Sequence, residues 1–258
     1  MSTKVRARDE LAVEIRPGIF RPDWSVVTTT AARQALAARV AGRAGLLAHW
    51  SKPLSAAADL VWQTVLRMFV RKGRPPRPAE IASETGLSLD SVIAILHGLE
   101  ERDLIGLKPG TDAIRFAYPW TERRTPHRVA FGEHLLWALC AVDALATARM
   151  YRSDVSVDSA CAHCASAIYA ATALRGRTLR TVSPPEAVVW YDATFPGCAA
   201  ASCCPSIAFF CSDDHLEAWL SSRSPRPEGV RLSIAEALEV GGAIFGPVLA
   251  EAVAPEAV

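Results

Sequence analysis

Pro78-Ala79-Glu80-Ile81-Ala82-Ser83-Glu84-Thr85-Gly86, followed by Leu87 and Ser88 and then Val92, Ile95, Leu96 and Leu99 at helical spacing, decides the first half of the fold. Proline opens a short helix, Gly86 closes it, and Ser88 caps a second one. Upstream, Ser55 is placed to cap a longer helix running to about Arg71. Asp59 lies near its positive end, Arg71-Lys72 near its negative end, and Gly73 stops it. Downstream, Leu104 to Lys108, a Pro109-Gly110 turn and Ile114 to Tyr118 alternate as a β-hairpin. Helix, helix, glycine turn, helix and hairpin predict an N-terminal winged helix-turn-helix-like helical domain over residues 55–120. Before it, residues 1–54 form an extension. An arm to about residue 25 lacks periodicity and holds Pro17 and Pro22, and an Ala-rich helix is expected from Thr28 to Leu47.

Charge changes across this boundary. Of 28 basic and 27 acidic residues, 17 and 12 precede residue 120, giving +5, while 11 and 15 follow, giving −4. All seven cysteines lie in the second half, between Cys140 and Cys211. Two units are therefore expected, joined near Tyr118–Pro126. The second, residues 127–258, reads as α+β. Its expected elements are a helix from Glu133 to Met150, strands at 155–159, 187–191 and 206–210, and helices at Asp213–Ser221 and Ser233–Glu239. Ser233 and Glu236 of the last helix form a capping box.

The +5 half invites a DNA-binding reading, but a recognition helix presents Arg, Lys, Asn or Gln to base edges. Ser88 to Glu101 contains none of these and offers Asp90, Glu100 and Glu101. The basic residues Arg67, Arg71, Lys72, Arg74 and Arg77 sit on a helix end and linker instead. The module is therefore expected to serve as a packing or lid element without nucleic acid, since a fold alone does not fix function. No window approaches the ~20 apolar residues of a membrane span, and the charged start lacks the apolar core of a secretory signal. A cytoplasmic protein with free or metal-binding thiols is expected, not a disulfide framework.

The cysteines fall into groups. Cys140 and Asp143, three apart on the expected helix, would project a thiol and a carboxylate from one face. Together they suit a nucleophile or metal ligand beside a proton donor, although each alone is an ordinary buried residue. Cys203 and Cys204 are adjacent, so in extended chain one would face a pocket and the other the core. Cys161 and Cys164 form a Cys-x-x-Cys around His163. With the 203–204 pair they could make a four-thiolate zinc site, though two structural thiols fit the pattern better. Cys198 and Cys211 read as packing thiols.

Leu139-Cys140-Ala141-Val142-Asp143-Ala144-Leu145, then Cys161, Thr181-Val182-Ser183-Pro184, Cys203-Cys204 before Phe209-Phe210, and Trp219 resemble the bacterial organomercurial (alkylmercury) lyases in order and spacing. The resemblance runs from about Ala58 to Leu249. It implies an alkylmercury lyase-like catalytic domain over 127–258, beside a degenerate DNA-binding-like domain. It further implies that Cys140, Asp143 and Cys203 carry catalysis, with Cys140 and Cys203, and Asp143 as a further candidate, holding mercury, while Cys161 is structural. Leu139, Ser202 and Pro205 depart from the family pattern, where aromatics precede the two cysteines and a histidine follows the pair. They bear on the substrate accepted. Cys164 is extra, a candidate exit thiol.

The chemistry fits these residue types. Mercury is soft and prefers thiolates, and two thiolates raise electron density on its carbon, which a carboxylic acid can then protonate. The expected substrate is a small organomercurial. No organic cofactor is required, only external thiols, with Hg(II) as bound product and a mercuric reductase as a candidate acceptor. Two rivals are a lyase-fold protein that binds or transfers soft metal without cleavage, and a metal-responsive winged-helix regulator. Asp143 favours the enzyme, because sequestration needs no proton donor.

Overall fold

The computed structural model describes residues 22–41, 53–192 and 198–249. Much of the expected arm, the end of the Ala-rich helix and the last residues fall outside these. Within them, no helix is long and apolar enough to cross a membrane.

The first described segment is more ordered than an arm. Asp23 caps a 3-10 turn at Trp24–Val26, and α1 follows at Thr30–Ala41. The Thr28 and Thr29 amides donate to the Glu239 carboxylate near the far end of the chain. Helices α2 (Ala56–Lys72), α3 (Pro78–Thr85) and α4 (Leu89–Glu101) start and stop where the cap residues placed them. Ser55 Oγ accepts from the Ala58 amide and Ser88 Oγ from Ser91. Gly73 and Gly86 take the left-handed conformation that ends the first two helices. The hairpin β1 (Ile105–Leu107) and β2 (Ile114–Ala117) follows.

The hairpin does not stand apart. It continues through β3 (Trp120–Thr121), β4 (Arg128–Phe131), β5 (His134–Ala138), β6 (Ser156–Ala160), β7 (Ala167–Ala173) and β8 (Thr178–Ser183). These form one antiparallel sheet in the order β1-β2-β3-β5-β4-β6-β7-β8. The expected junction at 118–126 thus contains a paired strand. A second antiparallel sheet orders β10 (Ala208–Phe210), β9 (Val188–Asp192) and β11 (Gly229–Ser233). Three helices complete the unit, α5 (Ala141–Met150), α6 (Asp213–Ser221) and α7 (Ile234–Phe245). The Ser233/Glu236 capping box is formed, and α7 runs beyond the expected Glu239.

The helix expected from Glu133 to Met150 is corrected. Residues 134–138 are strand β5, paired to β4 with Leu136 opposite Val129, and the helix begins only at Ala141. Leu135, Leu136, Trp137 and Leu139 mimic a helical pattern, but the backbone there pairs with β4 on one side and β3 on the other. Cys140 is therefore the N-cap of α5 and not a residue on its face. Strands β3, β4, β7, β8 and β11 have no counterpart among the expected elements.

Helix α5 is buried all round, and its alanines admit close neighbours. Against it packs α7, whose Gly241 makes the approach possible, since a Cβ there would lie 2.9 Å from Ala146 Cβ. The N-terminus of α5 is fixed by Ala141 donating its amide to the Ile207 carbonyl at 3.0 Å. That single bond brings Cys140 beside the 3-10 turn Cys204–Ser206.

Candidate active site

At the N-terminus of α5 the Cys140 Sγ accepts a hydrogen bond from the Asp143 amide at 3.3 Å. Thiol and carboxylate meet there through capping geometry, not through a shared helix face. Cys204 Sγ lies 4.0 Å from Asp143 Oδ2. The ligand atoms of Cys140, Asp143 and Cys204 all lie within 4.8 Å of one another and are buried. Cys203 falls outside that tight trio but lines the same cavity, which Arg39, Tyr118, Tyr191, Ile207 and Phe245 also wall. The cavity holds about 30 Å³, close to the share of one water in the liquid.

The adjacent cysteines do not divide between pocket and core. The turn at 203–206 is not extended, and both thiols reach the cavity. Their loop is clamped from the N-terminal half. Asp103 accepts from the Ala199 amide at 2.9 Å, and the Tyr118 hydroxyl accepts from the Ala200 amide at 2.8 Å. Tyr118 in turn donates to the Asp103 carboxylate. Leu139, Ser202 and Pro205 are not among the described residues walling the cavity, so Tyr118, Tyr191 and Phe245 stand closer to any substrate.

Arg39 is the residue that sequence reading missed. It projects from α1 and is 4% exposed. Its Nη1 donates to Cys203 Sγ at 3.2 Å, Nε to the Tyr191 hydroxyl at 3.0 Å and Nη2 to the Asp192 carbonyl at 2.9 Å. Burial opposes its charge, but Tyr191 and Cys203 more than compensate and hold the guanidinium protonated. An isolated arginine in an Ala-rich helix, some 160 residues before its partner, carried no local signal.

The four groups are set to different protonation states. A hydrogen bond from Cys204, aided by the charge and hydrogen bond of Arg39, outweighs burial and pulls the Cys203 thiol down to about 6. Cys203 is thus a thiolate at neutral pH. Burial pushes Cys140 up to about 11 despite its place at a helix N-terminus. Hydrogen bonds donated to Cys140 and Cys203, together with burial, keep Cys204 protonated. Burial raises the Asp143 carboxyl to about 7, so it can both take and give a proton near neutrality. One ionised thiolate, two neutral thiols and a poised acid share a buried pocket.

If Arg39 sustains the thiolate, Arg39→Met should move the thiolate absorbance titration of Cys203 upward from about 6 by roughly one unit or more, a tenfold loss of thiolate per unit. Arg39→Lys should recover part of the shift. An unchanged titration would show that the guanidinium is only a packing group.

The remaining cysteines are elsewhere. Cys161 and Cys164 do not group with Cys203 and Cys204, so the four-thiolate arrangement is corrected. They gather instead with Cys211 and His215. Cys198, read as a packing thiol, is exposed. A groove of about 600 Å³ between the end of α2, β2, β3 and β5 has no cysteine in its walls.

Comparison with known proteins gives two similarities. Residues 120–246 match the family model described as "Alkylmercury lyase". A solved structure titled "Crystal structure of the mercury-bound form of MerB2" has the same fold, with a TM-score of 0.65 and 20% identity over 86% of this chain and 100% of that one. No curated protein sequence is matched. The matched segment contains Cys140, Asp143, Cys203 and Cys204, and over it the chain is similar to the alkylmercury lyases.

Proposed function

We propose that the chain cleaves carbon–mercury bonds by protonolysis, with Cys203 and Cys140 as mercury ligands and Asp143 as the acid. The observation that carries this is one buried pocket holding an ionised thiolate, a second thiol and a carboxylic acid with a midpoint near neutrality. The substrate arrives as an organomercury thiolate. Cys203 attacks mercury and displaces the external thiolate, which leaves as a thiol once protonated. Cys140 then binds mercury and passes its proton to ionised Asp143, whose amide and helix N-terminus support the new thiolate. Asp143 protonates the carbon, the hydrocarbon leaves, and Hg(II) stays on Cys140 and Cys203. External thiols, and a mercuric reductase where one is present, would remove it. No organic cofactor takes part.

A second assignment, with Cys204 in place of Cys203, has one observation in its favour, the tight Cys140–Asp143–Cys204 group. Against it, Cys204 is the protonated member of the pair and the donor that keeps Cys203 ionised.

Residues 55–120 are best read as a degenerate winged helix in a positioning role. Support comes from charges already spent within the module. Glu80 pairs with Lys72, Arg74 and Arg77, and Glu84 pairs with Arg71. Phosphates would have to compete with these carboxylates. The module instead supplies Asp103, which with Tyr118 holds the cysteine loop. The reaction is placed in the cytoplasm, with a small organomercurial as partner and neither nucleic acid nor membrane. Incubation with phenylmercury and excess thiol tests the function by benzene release.

A further inference from the structure

Where the β6–β7 turn meets the start of α6, a second set of soft ligands lies apart from the catalytic thiols. Cys161, Cys164, Cys211 and His215 place their ligand atoms within 4.8 Å of one another. Cys164 Sγ and Cys211 Sγ are 3.7 Å apart. Cys161 Sγ lies 3.9 Å from His215 Nδ1, and Cys211 Sγ lies 2.9 Å from the same nitrogen. Tetrahedral zinc with Zn–S near 2.3 Å requires sulfurs about 3.8 Å apart, so shifts on the order of 1 Å or less would close the shell.

The backbone is arranged to present these groups. Cys161 and Cys164 sit in one turn, in which the Ala165 amide donates to the Cys161 carbonyl and the Cys161 amide to the Ser166 carbonyl. Ala165 adopts φ of +61°, a left-handed conformation that alanine rarely takes, and this folds the chain back immediately after Cys164. The Ala162 amide donates to the Phe209 carbonyl and locks the turn beside β10, which leads to Cys211. His215 sits one helical turn beyond Cys211, on α6. Two ligands thus come from the turn after β6 in the large sheet, one from the end of β10 in the small sheet and one from α6. All three thiols are free, and a Cys164–Cys211 bridge would need the sulfurs to close to about 2.05 Å.

We propose that these four residues form a structural zinc site of the Cys3His type, which staples the β6–β7 turn to β10 and α6. Three thiolates with one imidazole in a closed tetrahedral set suit zinc, and no fourth position is left open for chemistry. Cys211 is therefore a ligand and not a packing thiol. Cys164 belongs to the zinc shell and not to an exit path. Metal binding should couple to stability, because the site joins two sheets. This inference is independent of the lyase reading, since neither Cys140 nor Cys203 takes part.

The test is metal analysis of the full chain purified without chelator, together with cobalt substitution. About one zinc per chain is expected for wild type and for the Cys140→Ser/Cys203→Ser double variant. Cys164→Ser/Cys211→Ser should lose it while circular dichroism still shows a fold. Cobalt in the wild-type protein should give the visible bands of a tetrahedral ion with thiolate charge transfer, and strong chelation should lower Tm. The cobalt spectrum decides the matter even if the double variant is insoluble. A folded wild-type protein that binds neither zinc nor cobalt would overturn the site. So would zinc retained by Cys164→Ser/Cys211→Ser, a Cys164–Cys211 disulfide in place of metal, or uptake of mercury but not zinc by these four residues.

Discussion

Cys203→Ser should reduce turnover of phenylmercury by roughly 10³-fold or more, the scale seen when an activated nucleophile is removed from a site that acts as a unit. The size of the effect follows from the division of labour in the pocket. Cys203 is the thiol that environment holds near 6, while Cys140 stands near 11. A serine hydroxyl beside Arg39 stays protonated at neutral pH and is a hard, weak ligand for mercury. Cys204→Ala should behave differently. It removes the largest influence lowering the Cys203 midpoint, so the acid limb of kcat/KM should move to higher pH, with activity recovering at alkaline pH. The distinction is read from the two pH profiles. Equal activity of Cys203→Ser and wild type, or a pH-independent loss confined to Cys204→Ala, would transfer the ligand role to Cys204.

Asp143→Asn should separate mercury binding from cleavage. The amide cannot deliver a proton, so hydrocarbon release should fall by about 10²–10⁴-fold, while the variant still takes up the mercurial. The same substitution carries a stability signature with a defined sign. The native carboxyl titrates near 7, against 3.8 for an ordinary aspartate, because burial disfavours its charge. Between these values the native state holds a proton that the unfolded chain has released. Wild-type stability therefore falls as pH rises from about 4 through 7 and levels off above. Asparagine lacks this penalty. Relative to wild type, Asp143→Asn should gain Tm between pH 5 and pH 8, on the order of 5 °C. Thermal unfolding at the two pH values checks it, and an equal offset at both would mean that Asp143 is already charged, or already neutral, throughout.

The parts of the fold that announce themselves locally were legible in the sequence. Ser55, Gly73, Gly86, Ser88 and the Ser233/Glu236 box act through bonds to near neighbours, and each helix end lies where such a residue put it. What depends on distant pairing was not legible. Strand β5 reads as helix because Leu135, Leu136 and Trp137 suit both periods, and only the ladder to β4 decides between them. The same limit hid the continuous sheet from β1 to β8. Cys140 and Asp143 are close neighbours for a reason other than the one spacing suggested, a cap and its N3 residue instead of two residues on a helix face. Arg39 was silent because its whole significance lies in three contacts at sequence distances above 150. Cys211 and His215 were likewise separated from Cys161 and Cys164 by the intervening strands, so the ligand pattern existed only once the two sheets were joined.

In the proposed mechanism Asp143 protonates carbon on a mercury held by two thiolates. Single-turnover cleavage of phenylmercury by thiol-loaded protein in D2O tests it most directly, with benzene and protein-bound mercury both quantified. Benzene bearing one deuterium and one Hg(II) retained per chain are expected, with loss of benzene but not of mercury uptake in Asp143→Asn. Stoichiometric mercury uptake by the wild-type protein with no benzene released would contradict it.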